Sequence, residues 1–384
     1  MLDEIAKRFG IPDVAIFLLA GILLGPEVSG LVAIRADSAL NQVILIFGAC
    51  YVVFDGATSL RLAVLKDTWI TIVALATVGV LVTAAITAAA AWWLLGIPSI
   101  AALLLGAVTA STDPATLVPV FRQVRVRPRI AQTVMAESAL NDATGAIITF
   151  AVLGVALGTH TFSLAGSLAD LARQAGLGLG VGTALGYLAA LAIAHERVRF
   201  VMKYAPIVSL AGVAGTYLAA DALGASGFMA VFAFGLVLGN KDVFGLAMPQ
   251  REQARLDGFV AGTSFVMRIL IFVLLGAQLD FGLVGSHLAG GIGVVAIFML
   301  VARPATVFLC AVPDRRARWT LPEMLLMCWT RETGVIPGAL AGLLVGMNAP
   351  EARVIASVTF IAILVTILVQ ATTTRWLAHR LGLN

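Results

Sequence analysis

Charge is what this 384-residue chain has least of: Asp, Glu, Lys and Arg together make up 12% of it, about half the ~25% of soluble domains. That scarcity excludes a water-soluble globular protein with an ordinary charged surface. Cysteine is nearly absent. Cys50, Cys310 and Cys328 all lie in apolar context, with neither metal-ligand spacing nor a disulfide pattern, and read as buried thiols. The four histidines, His160, His195, His287 and His379, fall near the ends of apolar segments and form no motif. No catalytic centre, metal centre or cofactor is therefore expected. The opening MLDEIAKRFGIP lacks the cleavage-like end of a separable signal peptide.

What is present is apolar length. Hydrophobic residues make up 60% of the chain, glycines number 38, and the mean hydropathy is +1.00. This is the composition of an all-α polytopic membrane protein, with glycine to bring helices close in lipid and no length left for a large soluble domain. A net charge of +4 would suggest nucleic acid in a soluble protein. Here the excess sits in short loops and reads as a topology signal instead.

A span needs about 20 mainly apolar residues. On that basis the sequence holds about twelve, at 12–33, 40–59, 68–95, 98–121, 130–158, 166–195, 204–222, 225–240, 254–280, 288–312, 322–346 and 352–377. Arg61, Lys66, Arg122, Arg125, Arg127, Arg129, Arg197, Arg199, Lys203, Lys241, Arg251, Arg255, Arg315, Arg316 and Arg318 all fall in even-numbered loops. Lys7, Arg8, Arg375 and Arg380 lie at the ends, while odd-numbered loops carry only Arg35 and Arg353. The positive-inside rule then puts both termini in the cytoplasm. Arg173, Arg268, Arg303 and Arg331 remain inside or near spans.

Two spans are interrupted. The fourth contains Thr112-Asp113-Pro114-Ala115-Thr116, and the eleventh Thr330-Arg331-Glu332-Thr333-Gly334-Val335-Ile336-Pro337-Gly338. Proline and glycine break helices, and broken backbone at membrane depth is tolerated where it lines a polar cavity. The interrupted spans stand seven apart. That suits two inverted five-helix repeats, spans 1–5 and 8–12, whose broken helices cross near Asp113 and Arg331, the arrangement of a secondary transporter.

Acids at membrane depth are functional-site candidates by default. On the fifth span, Glu137, Ser138, Asn141 and Asp142 form one polar stripe, with Ser138 stacked on Asp142 and Glu137 on Asn141. Asp142 can ligate a hard cation beside the Ser138 hydroxyl, or take a proton instead, which gives exchange by competition. Glu137 reads as half of a structural brace, with Arg331 as its nearest candidate partner. Asp113 is suited to facing the positive end of a half-helix, and Thr112 offers a carbonyl or hydroxyl. Asp55 reads equally as a cap near a loop or as a cavity acid.

The stretches TASTDPAT, RQVRVRPR and ESALNDATGAI, more weakly LLAGILLGP at 18–26 and VVFDG at 52–56, resemble the cation/proton antiporters of the NhaP/NHE (sodium/hydrogen exchanger) type, in the branch whose motif is the Asn141-Asp142 pair. The resemblance implies that Asp142 is the ion-binding carboxylate and proton carrier, with Ser138 and the Thr112 backbone as further ligands. It implies that Asp55 helps to close the ion site, and that Glu137 and Arg331 brace the core beside Asn141. It further implies electroneutral exchange of one Na+ or K+ for one H+, by elevator-like movement of a core domain (in part about 40–158 and 254–377) against dimerisation helices. The partners implied are these ions, the lipid bilayer of a bacterial plasma (inner) membrane and a second copy of the chain. Two departures stand out: the beginning of this chain looks like the end of a first family helix, and Glu332 follows Arg331 where many sodium exchangers have an Arg-Gly pair. The alternatives are a K+-selective antiporter and a cation channel.

Overall fold

The computed structural model describes residues 13–35, 38–113, 121, 126–158, 164–194 and 199–383. Lys7 and Arg8, Pro114 to Thr116, and Arg122 and Arg125 lie outside them. The described chain is helical. In order it forms α1 (Asp13–Leu24), α2 (Ala39–Ser59), α3 (Leu62–Leu95), α4 (Ser99–Thr109), α5 (Pro128–Ala156), α6 (Leu164–Ala194) and α7 (Ala205–Ala222). These are followed by α8 (Gly227–Gly239), α9 (Gln250–Ala277), α10 (Leu288–Ala311), α11 (Leu321–Trp329), α12 (Val335–Gly346) and α13 (Ala352–Arg380). Single π turns interrupt α3 at Leu75–Gly79, α10 at Phe298–Ala302 and α13 at Thr366–Ala371.

Eight of these helices are long and apolar enough to cross a membrane, namely α2, α3, α5, α6, α7, α9, α10 and α13. α1, α4, α8 and α12 are shorter apolar helices. Among the described residues, eight of the twelve expected spans thus hold a helix of full spanning length, and the other four hold shorter helices. The difference is clearest at the interrupted segments. The expected fourth span ends its helix at Thr109, and the expected eleventh divides into α11 and α12 around a non-helical stretch from Thr330 to Gly334.

The helices pack in two sets. α1, α2, α6, α7, α8 and α9 make their densest contacts with one another, and α3, α4, α5, α10, α11, α12 and α13 do the same. α2 and α9 lie in the first set. The reason is backbone proximity that only small residues permit. A Cβ on Gly182 of α6 would stand 2.0 Å from the Ala230 carbonyl oxygen of α8, and one on Gly276 of α9 would stand 2.2 Å from that of Leu18 on α1. Between the sets the contact is side chain on side chain, with Leu45, Ile271 and Leu275 meeting Leu104, Val335 and Ile363 in one apolar cluster.

The short link between α2 and α3 passes from one set to the other. Asn240 at the end of α8 holds it from both sides, donating to the Leu60 carbonyl at 2.8 Å and accepting from the Leu62 amide at 3.1 Å.

Candidate ion-exchange site

The two helix breaks meet. The Asp113 amide donates to the Glu332 carbonyl at 2.9 Å, and the Arg331 guanidinium donates to the Ala110 carbonyl. Each non-helical stretch thus satisfies part of the other's backbone, which in lipid would otherwise cost several kcal/mol per group. The Thr333 amide is satisfied from the third side by Thr366 Oγ1 at 3.0 Å, supplied by the π turn of α13.

Gly334, the residue before α12, lies directly beneath Asp113. A Cβ there would stand 1.9 Å from Asp113 Oδ2 and 2.4 Å from its Cγ. The carboxylate therefore sits at the start of a half-helix, where unsatisfied amides and the helix dipole favour negative charge. Gly334→Ala must displace Asp113. The expected result is a loss of about 1–3 kcal/mol together with a marked fall in transport rate. Unchanged thermal stability and rate would show that Asp113 has room to move.

α5 supplies the rest of the constellation. Asn141 grips the first break through both ends of its amide: Nδ2 donates to Thr112 Oγ1 at 2.9 Å and Oδ1 accepts from the Thr112 amide at 3.1 Å. The neighbouring Asp142 is 1% exposed, and neither of its oxygens has a hydrogen-bond partner. The hydroxyls of Ser138 on the same helix face and of Ser111 in the break are also fully buried and without a partner. Buried polar groups are normally hydrogen-bonded. A carboxylate and two hydroxyls left open together, next to broken backbone, form a donor set for a small cation held by oxygen.

Glu137 does not pair with Arg331. Its carboxylate is held by Arg303 of α10 in a two-pronged ion pair, Nη1 to Oε1 at 2.5 Å and Nη2 to Oε2 at 2.9 Å, and Arg303 Nε donates to the Met327 carbonyl at 3.0 Å. Both side chains are buried. The expected brace thus exists with a different arginine. Arg331 is turned instead to the Ala110 carbonyl and stacks its guanidinium 4.2 Å above the Phe298 ring. Arg303 stands out in the sequence as a cation inside an apolar span, which is the signal for a buried partner, yet chain position alone does not say which acid it meets.

Glu332 is wholly buried, and neither of its carboxylate oxygens has a partner. Asp55 is buried on α2, in the other set of helices. It lines a cavity of about 620 Å³ together with Phe54, Arg61, Lys241, Asp242 and Asp257, on the side of the even-numbered basic loops. Asp142 is not among that cavity's described lining residues. At the other end of α2, cavities between the sets include an apolar one of about 150 Å³, lined by residues such as Leu45, Phe150, Ile336 and Leu340, and one of about 340 Å³ lined by residues such as Gln278, Asp280, Gly338 and Arg353. The structure thus brings Thr112, Asp113, Ser138, Asn141 and Asp142 together, with Glu137 and Arg331 beside them, and sets Asp55 at a cavity wall. Among the described residues no group of three or more His, Cys, Asp or Glu is placed to hold a metal ion.

Comparison with known proteins gives the same class. The chain is 32% identical over 351 residues to the Na+/H+ antiporter 1 of Methanocaldococcus jannaschii, covering 89% of this chain and 79% of the relative. It is 29% identical over 382 residues to the K+/H+ antiporter NhaP2 of a Shewanella species, covering 96% of this chain and 62% of that longer protein. The solved structure of the sodium proton antiporter MjNhaP1 from Methanocaldococcus jannaschii at pH 8 superposes with a TM-score of 0.77 at 30% identity, over 96% of this chain and 94% of the other. The sequence pattern of the transmembrane sodium/hydrogen exchanger family matches residues 2–380, and the chain belongs to that family.

Proposed function

We propose that this integral membrane protein is an antiporter, not an enzyme, and that it exchanges a monovalent cation, Na+ or K+, for H+ through Asp142. The carrying observation is the open donor set at the crossing: a buried carboxylate with no hydrogen-bond partner, flanked by the Ser138 and Ser111 hydroxyls. A carboxylate so placed holds a cation or a proton but not both, so loading one unloads the other. Thr112 offers further oxygen ligands while Asn141 fixes its position. Asp113 faces the start of α12, and the Glu137–Arg303 pair and Arg331 hold the surrounding helices together. One cation for one proton leaves the charge of the site unchanged, so exchange is electroneutral.

Alternating access comes from movement of the α3–α5 and α10–α13 set against the other set. The cavity of about 620 Å³ beside the basic loops, larger than the one of about 340 Å³ at the opposite end, supports that reading. Asp55, on the cavity wall, lies on the cation's route and helps to close the site. The first set of helices also pairs with a second copy of the chain. The concentration of lysine and arginine in the even-numbered loops supports cytoplasmic termini in a bacterial plasma membrane.

Relatives of similar identity are named as Na+/H+ and as K+/H+ antiporters, so the ion is decided by measurement. Protein in liposomes with an imposed pH gradient and clamped membrane potential is given Na+, K+ or Li+ in turn. Saturable collapse of the gradient by one of them names the ion. Cation flux with no opposing movement of protons marks a channel. Competition at one carboxylate also fixes a sign: raising the pH removes the competing proton, so the half-saturating cation concentration falls. A value independent of pH rules out a shared site.

A further inference from the structure

The cavity that leads toward Asp55 has a lysine in its wall. Lys241 opens the 3-10 turn Lys241–Phe244, between α8 and α9, and is 3% exposed. Its ammonium donates to Gln253 Oε1, and Gln253 Nε2 donates in turn to Asp257 Oδ1 at 2.6 Å. The charged residues lining the cavity are Asp55, Asp242 and Asp257 on one side of the balance and Arg61 and Lys241 on the other. Arg61 directs its guanidinium to the Gly239 carbonyl at 3.0 Å, at the link between the two helix sets. Lys241 reaches Asp257 through a neutral amide rather than in a direct ion pair, so its ammonium remains a discrete positive charge in a wall that also carries Asp55, Asp242 and Asp257. A fixed charge in a low-dielectric cleft acts strongly on a mobile ion of the same sign.

We propose that Lys241 sets the protein's apparent affinity for its transported cation, its ammonium being the positive charge that an alkali cation must pass on the way from the basic-loop side to Asp55. This rests on the exchange reading above. The relay through Gln253 holds the ammonium in the wall, close to the cation's path. Burial pulls the lysine below its ordinary range, Asp242 and Asp257 push it back up, and Arg61 adds to the lowering. As pH rises through that lowered range the ammonium loses its charge, and the barrier to an approaching cation goes with it.

The test uses the full chain in liposomes, with Na+ or K+ presented on the basic-loop side, and compares wild type with K241M, K241R and D257N. At neutral pH K241M lowers the half-saturating cation concentration about fivefold with the maximal rate kept, and K241R stays at the wild-type value. D257N, which removes the relay's counter-charge, raises it. Toward alkaline pH the wild type converges on K241M, whereas K241R, whose guanidinium keeps its charge, does not. The proposal is overturned if K241M and wild type share one half-saturating concentration, or if K241M and K241R weaken affinity alike. D257N decides the matter should K241M fail to fold, since an unchanged value there also overturns it. Absence of exchange by the wild type is a different failure and falls on the exchange reading itself.

Discussion

Asp142→Asn protein, folded and reconstituted, moves no protons in response to Na+ or K+. The substitution keeps the shape of the side chain and removes its charge. In a buried site, a group that never ionises has no reason to exchange a cation for a proton. The rate falls at least about a hundredfold, as expected when an intramembrane acid is the functional group rather than a packing element. Stability goes the other way. Neither oxygen of Asp142 has a hydrogen-bond partner to lose, and an unpaired buried carboxylate is costly, so thermal stability in detergent equals or exceeds that of the wild type. This pairing of lost transport with kept stability separates the exchange role from a structural one. A folded variant that still exchanges removes Asp142 from the mechanism.

Arg303→Met is expected to be among the most destabilising substitutions in the chain. Arg303 and Glu137 are buried and joined through both guanidinium nitrogens. Removing one partner leaves the other as an uncompensated charge, a loss of about 3–5 kcal/mol, whereas replacing both with apolar residues of similar volume is often close to neutral. Glu137→Leu alone should be similarly damaging. The double variant Glu137→Leu/Arg303→Met should recover much of the loss, read as a melting temperature in detergent. Arg331→Met gives the control. Arg331 contacts the Ala110 carbonyl and the Phe298 ring rather than Glu137, so its effect adds to that of Glu137→Leu with little coupling. Strong coupling to Arg331 and none to Arg303 would return the brace to the pairing expected from the sequence.

That pairing shows where a linear reading stops. Glu137 and Asn141 stand one turn apart, and the polar stripe they share with Ser138 and Asp142 follows from helical periodicity. Each is found on α5, in the expected place. The acid at 113 and the prolines and glycines around it likewise announce broken helices, and the described stretch after Thr109 and the one from Thr330 to Gly334 are non-helical. What periodicity does not carry is which partner arrives from another helix. Arg303 and Arg331 are both intramembrane cations. The choice between them depends on how α10 is rotated about its axis, and the π turn at Phe298–Ala302 alters that rotation immediately before Arg303.

The sequence by itself determined the class: too little charge for a soluble protein, apolar segments enough for a polytopic helical one, basic loops on one side, and an acid-bearing stripe beside two broken helices. These are properties of composition and of residues near one another along the chain, so they survive without coordinates. The tertiary structure alone decided that Asn141 grips Thr112, that Gly334 lies under Asp113, that Arg303 holds Glu137, and that Asp55 lines a cavity apart from Asp142. It also decided that α2 packs most closely on α8 and α9 on α1, because Gly239 and Gly276 admit backbone contact there. Contacts between residues distant along the chain are set by packing, and packing is a property of the assembled helices rather than of any one segment.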